Sequence, residues 1–431
     1  MIKSPHNYDG IKSLNNYLYI RGIFALDIGI YHSKVAYTNV LNPDIIINDC
    51  GSESIGMLRT NTALLYDENF NVESWGNAAL AEPRKKQVLV KDFMLHLSNI
   101  PKNEKPILPK GLSYKRAIAD YLREIGKLII LNHHFCLQSI TLSKETMNAR
   151  WPNINFMEQV LIILVVPEEI SGAMDILNEC SYMANLTSTM NSERLIIVTR
   201  SEVTAMCINE RGFYIEGSNV LIVDCGSLTV SLIIRQLLSC ERLGEIKMRT
   251  SEFCGGDYVD REFLRFMGRK LGYSALKKLK TNNYNQLQYM IQEFNRNVKI
   301  LFTGEIENYS TFKMDLNKVC PALQGYIDSS RVELKDNDWI IEFGFNDVKV
   351  MFDPVIDQII KLIHNQINQS GDISAVFLVG GFSESKYLQK RINEEFLEKT
   401  NISVPLRPLA ACTRGVQYGL YMLNRIRNRC T

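Results

Sequence analysis

Two carboxylates stand at the ends of apolar runs, each two residues before a glycine. Asp27 closes IFALD and precedes Gly29, and Asp224 closes VLIVD and precedes Gly226. Two buried-strand acids a domain's length apart can face one another across a cleft. Through water they could hold Mg²⁺ between the phosphates of a nucleotide. Two glycine pairs extend the set. Gly255 and Gly256 lead into Asp257, and Gly380 and Gly381 follow the run AVFLV. Residues without Cβ let a sharp turn form and let backbone N–H groups approach something bulky, such as a base and ribose. Singly, each acid is an ordinary capped strand end and each glycine pair an ordinary β–α turn. The four in this order are much harder to reach by accident.

The elements that must position them show as apolar periodicity. Residues 375–379 suit a strand buried on both faces. Ser383 or Ser385 can cap the helix that follows, with Glu384 complementing its dipole. Residues 160–166 (VLIILVV) form a second such strand, stopped by Pro167. A helix carrying Ile170, Met174, Leu177, Cys180 and Ala184 comes next, and residues 195–198 are a strand again. That β–α–β order predicts a mostly parallel α/β sheet. Residues 23–37 read as a hairpin, and 220–235 repeat the theme. The recurrence of apolar-Asp-x-Gly hints at two similar halves. Residues 75–82 read as a helix start and 114–131 as an amphipathic helix. Residues 287–302 read as a basic helix holding Lys299, and 353–369 as a helix capped by Asp353 with Pro354.

At 431 residues the chain is too long for one comfortable core. Its 46% hydrophobic and 22% charged residues are ordinary soluble values. A net charge of +2 gives no reason to expect a nucleic-acid or membrane partner. Ten cysteines are scattered with no C-x-x-C pair, which favours reduced thiols over zinc or disulfides. His133 and His134 are adjacent and would point apart, so no metal spacing arises from them. Residues 1–20 hold no apolar core of signal type, and no later run reaches 18 apolar residues. The chain reads as soluble and cytoplasmic.

The order of these motifs resembles the actin-like ATPase superfamily. It is most similar to the nucleotide-binding domain of the heat-shock protein 70 chaperones, in the divergent branch that lacks the peptide-binding domain. IFALDIGIYHSKVAY stands at the first phosphate loop and VLIVDCGSLTVSLIIRQLL at the second. LIILVVPEEISGAMDILNECSYMANL, CGGDYVDREF, EFNRNVKILFTGE, AVFLVGGFSESKYLQKRI and TRGVQYGL follow the family's order. The resemblance implies an α/β, two-lobed fold with duplicated ribonuclease-H-like sheets. A tail covers 1–20, lobe I 21–218, lobe II 219–410, and a C-terminal helix and tail, 411–431, returns toward lobe I. It implies ATP or ADP with Mg²⁺ as ligands, Asp27 and Asp224 holding the metal through water. Gly29, Gly226 and Thr229 would lie at the phosphates. Gly255, Gly256, Lys299, Gly380, Gly381 and Glu384 would complete the nucleotide contacts.

The departures bear on catalysis. Two small hydroxyl residues of the family's first loop are Ile30 and Tyr31 here, and the glycines of the second loop become Ser227 and Leu228. The second acid after Thr229 is Ser231. The lobe I lysine aligns with Met94, and Lys91 is three residues away. Arg200 stands where the family has an acid, leaving Glu202 as a substitute. Loss of one preorganised stabiliser costs about 3–4 kcal/mol of transition-state stabilisation. The expectation is therefore adenine-nucleotide binding with little or no hydrolysis. The alternatives are a slow ATPase using Lys91 and Glu202, and a nucleotide-free interaction protein. No protein partner is named by the sequence.

Overall fold

The computed structural model describes residues 18–41, 46–48, 60–80, 87–131, 154–204, 217–236, 246–328, 337–398, 400–404 and 415–423. His133, His134 and six of the cysteines lie outside that set. The four described cysteines, Cys180, Cys225, Cys254 and Cys320, are free and buried. The fold is mixed α/β with several sheets. Contacts divide it into two compact units, Met1–Phe213 with Ala410–Thr431, and Tyr214–Leu409.

The main sheet of the first unit is built on β1 (Gly22–Ile28) and β2 (His32–Asn39). They pair antiparallel, with β3 (Ile46–Asn48) and β4 (Thr60–Asn61) added to β2. A second, three-stranded sheet holds β5 (Ala63–Tyr66), β6 (Val72–Trp75) and β7 (Val88–Lys91). Helix α1 (Tyr114–Leu131) keeps the bounds its apolar stripe implies. On the other side of β1, β8 (Val160–Val166) pairs in parallel, every residue buried, followed by helix α2 (Met174–Met183) and the parallel β9 (Leu195–Thr199). The sheet order is β3-β2-β1-β8-β9. It is mixed rather than mostly parallel, because the short turn after β1 can only join antiparallel neighbours.

The second unit repeats the order. Strands β10 (Asn219–Cys225), β11 (Val230–Gln236) and β12 (Ile246–Glu252) form an antiparallel meander. Helix α3 (Asp257–Leu271) follows, then helix α4 (Tyr284–Phe294), which passes into a π-helical turn over Asn295–Lys299. A small hairpin of β13 (Phe312–Asp315) and β14 (Ile340–Phe343) precedes the long helix α5 (Phe345–Ser370). Strand β15 (Ala375–Val379) then pairs in parallel with β10, and helix α6 (Lys386–Phe396) leads to the parallel β16 (Asn401–Ser403). The order β12-β11-β10-β15-β16 matches the first sheet strand for strand in direction.

Two expectations are corrected here. Helix α5 begins at Phe345, well before Asp353, with Gly344 and Asp347 closing its N-terminal end. Pro354 lies inside it. The carbonyl that its missing N–H would have bonded belongs to Val350, a residue on the exposed face of the helix. Of the helix start expected at 75–82, residues 81 and 82 lie outside the described residues; within 75–80, Trp75 ends β6 and a 3₁₀ turn covers Ala78–Leu80, with no α-helix. Among the described residues no helix is long and apolar enough to cross a membrane.

Candidate functional site

In the first unit Asp27 stands one residue from the end of β1, opposite Lys34 of β2 and Val165 of β8. It is 2% exposed. A carboxylate so placed needs compensation. Arg200, the first residue past β9, supplies it: its Nε donates to Oδ1 at 2.8 Å, and its Nη2 forms an ion pair with the same oxygen at 2.7 Å. Gly29 makes room for this pair. A Cβ there would stand 2.9 Å from Nη2 of Arg200 and 2.5 Å from the His32 carbonyl oxygen. Thr62 pins the same loop, donating from Oγ1 to the Gly29 carbonyl at 2.9 Å and from its amide to the Tyr31 carbonyl at 2.8 Å.

The segment carrying Arg200 is held just as firmly. Glu202 accepts the Thr199 amide at 2.8 Å while Thr199 Oγ1 accepts the Glu202 amide at 3.3 Å, a reciprocal helix cap. Glu168, 2% exposed, accepts the Ser201 amide at 3.1 Å. The carboxylate of Glu202 is thus engaged in the cap. Lys91 ends β7 with its side chain exposed, in the separate three-stranded sheet. Met94 is fully buried in the following 3₁₀ turn. Burial raises the carboxyl of the intervening Asp92, and the Lys91 charge opposes that rise.

In the second unit Asp224 occupies the equivalent place on β10, opposite Ser231 and Val379. It is 6% exposed. Gly380 follows the last residue of β15 at φ +87°, where a Cβ would stand 2.3 Å from Asp224 Oδ1. Burial, with Asp224 and Cys254 alongside, pushes the Cys225 thiol well up. The turn after β10 spends its carbonyls inward: those of Gly226, Ser227 and Leu228 accept the amides of Gly256, Asp257 and Gly255 at 3.0, 2.7 and 2.9 Å. Gly255 allows this approach, since a Cβ there would meet the Ser227 carbonyl at 2.5 Å. The Gly226 amide bonds to Thr229 and Asp224 carbonyls. Among the described residues, the amides of Ser227, Leu228 and Thr229 take part in no hydrogen bond. Neither Ile30 nor Leu228 has a positive φ, and both side chains are buried.

Lys299 also works inside this unit. Its Nζ donates to the Gly256 carbonyl at 2.6 Å and to Asp260 Oδ1 at 2.7 Å, and lies 5.8 Å from the ring centre of Phe382. That ring stands 3.2 Å from the position of a Cβ on Gly256. Gly381 precedes the 3₁₀ turn Phe382–Glu384, which Glu384 closes, and Ser385 caps α6 through the Leu388 amide. Asp224, Gly226, Thr229, Gly255, Gly256, Lys299 and Gly380 therefore form one connected cluster. Sequence reasoning did not find Asp260, Phe382 or the pairing of Arg200 with Asp27. The partners are distant in the chain, and no periodic pattern links them.

Among the described residues no group of three or more His, Cys, Asp or Glu side chains is arranged to hold a metal. At Asp27 the Oδ1 oxygen is already paired with the Arg200 guanidinium, so a cation approaching that oxygen would meet one already in place.

No family model matches the chain. Over 209 residues it is 24% identical to the mouse (Mus musculus) protein "Heat shock 70 kDa protein 12A", an alignment covering 44% of this chain. The match spans 30% of that relative's length. This is a distant similarity to a protein of the heat-shock 70 kind.

Proposed function

We propose that the chain binds an adenine nucleotide, ATP or ADP, and turns it over slowly or not at all. In this reading each unit corresponds to one ribonuclease-H-like lobe of the actin-like ATPase fold, lobe I at 21–218 and lobe II at 219–410. The observation that carries it is the second-unit turn. Its carbonyls point to the start of α3, while three successive amides, Ser227 to Thr229, stay out of the internal network beside the seated Asp224 and Gly380. Successive open amides next to a glycine-lined strand end suit a phosphate group. The matching order of the two sheets and the similarity to the mouse heat-shock protein support the same reading.

Weak catalysis follows from the groups that would have to act. Glu202 is engaged in a helix cap, Lys91 lies on an exposed strand end, and Met94 is sealed in the core. Slow turnover makes the protein a nucleotide sensor or scaffold rather than a chaperone motor. One observation favours a nucleotide-free interaction protein instead: the amides of Gly255, Gly256 and Asp257 are all taken by the turn's carbonyls. Thermal unfolding with ATP and with ADP decides between them. A concentration-dependent rise in Tm supports nucleotide binding, and no rise up to millimolar nucleotide favours the interaction protein. Phosphate release measured on the same sample should stay near background.

A further inference from the structure

Building on nucleotide binding, we propose that Arg200 is the resident cation of the first loop, so that this chain binds nucleotide without a divalent metal. The structural basis lies wholly within the first unit. Asp27 is fixed beneath the loop by strands on both sides, so its charge cannot move away from anything that approaches Gly29. Left unpaired, that charge would repel a polyphosphate, and a hydrated metal between them would be the usual remedy. Here the remedy is covalently part of the chain. The guanidinium contacts Oδ1 through two nitrogens, at 2.8 and 2.7 Å.

The surroundings are fitted to this cation. Gly29 gives up its Cβ, and with it the space 2.9 Å from Nη2, so Arg200 lies directly against the loop backbone. The residue after it is tied to the buried Glu168, and the one after that closes the helix cap on Thr199. Arg200 is therefore held in place from both ends, with 18% of its side chain exposed against 3% for Asp27. A guanidinium cannot be deprotonated and is weakly hydrated, which suits a permanent, partly buried counter-charge. A hydrated dication brought to the same oxygen would have to share it with a cation already in place. A free nucleotide, more negative than its magnesium complex, is at least as well matched to the loop.

The test is titration of the full chain with ATP by calorimetry, once with excess magnesium and once with EDTA. The proposal expects affinities within about threefold of one another, or tighter binding in EDTA. Binding that vanishes in EDTA overturns it while leaving nucleotide binding intact. Binding in neither condition removes nucleotide binding itself and this proposal with it. Arg200→Gln supplies a second reading, because it keeps donors but removes the charge. The variant should bind ATP only when magnesium is present, and a variant indifferent to magnesium overturns the proposal. Should the variant fail to fold, the comparison on the unaltered chain decides.

Discussion

Gly380 and Asp224 are packed so closely that a single added carbon would collide with the acid: a Cβ on Gly380 would lie 2.3 Å from Oδ1 and 2.5 Å from the Cys225 carbonyl oxygen. The backbone at Gly380 also has φ +87°, where L-residues are strained. Strain of this kind costs roughly 1–3 kcal/mol before any clash is counted. Gly380→Ala should therefore destabilise the protein by about 3 kcal/mol or more, read as a lower urea midpoint at unchanged m. Nucleotide affinity should fall with it, since β10 and β15 can no longer close on one another. A loss below about 1 kcal/mol would mean the seat is not tight.

Placing a lysine at position 94 should not produce catalysis. Met94 has no exposed surface and sits beside the buried Phe93 in the first-unit core. An ammonium placed there would be desolvated, and Met94→Lys should cost several kcal/mol, of the order of 3 or more. Lys91→Ala, on the exposed end of β7, should change stability by less than about 0.5 kcal/mol and leave phosphate release unaltered. Denaturation curves and a phosphate assay on the two variants check both statements. A large fall in turnover for Lys91→Ala would revive the slow ATPase.

The Asp27–Arg200 pair makes a stability prediction separate from its role toward ligands. Removing either partner leaves a buried charge, and Asp27→Ala or Arg200→Ala should each cost about 3–5 kcal/mol. The double variant Asp27→Leu with Arg200→Met should recover much of the loss, because an apolar pair of similar volume leaves no charge stranded. Chemical denaturation of the three variants gives the cycle. Losses that simply add would show that the two side chains act independently.

How far the chain could be read in advance follows from where the information sits. Strand β8 is an unbroken apolar run ending at a proline, and α1 carries an apolar stripe along its length; both are local patterns and both elements appear where expected. The start of α5 is hidden in the sequence because Asp353 with Pro354 imitates a cap, while the true cap, Gly344 with Asp347, lies ahead of a residue pair that ordinarily breaks helices. The hairpin around Gly29 is legible in the two runs that flank it, and the β–α–β order gives the parallel half; what the runs do not show is that the antiparallel half makes the sheet mixed. The acids and glycines of the candidate site were visible as residue types. Their partners were not: 173 residues separate Arg200 from Asp27, and 39 separate Lys299 from Asp260. Such pairings depend on tertiary packing, which leaves no trace in spacing.

Alkaline pH should expose the buried thiols. Burial pushes Cys180, Cys254 and Cys320 up to about 12, against about 8.5 for a thiol in an unfolded chain. In that interval the folded protein keeps protons that the unfolded chain has lost. Its stability is therefore fully present below the unfolded value and falls as pH rises toward the folded one. The urea midpoint should be flat in this respect up to about pH 8 and decline above about pH 9. Replacing Cys180, Cys254 and Cys320 with Ala should lower the starting stability and flatten the alkaline decline. The same burial predicts that these thiols react with a disulfide reagent near neutral pH only as fast as the protein opens, because the thiolate is the nucleophile and the folded state suppresses it. Labelling rates that track the unfolding constant across a urea series would agree with that account, and fast labelling of all three in the folded protein would contradict it.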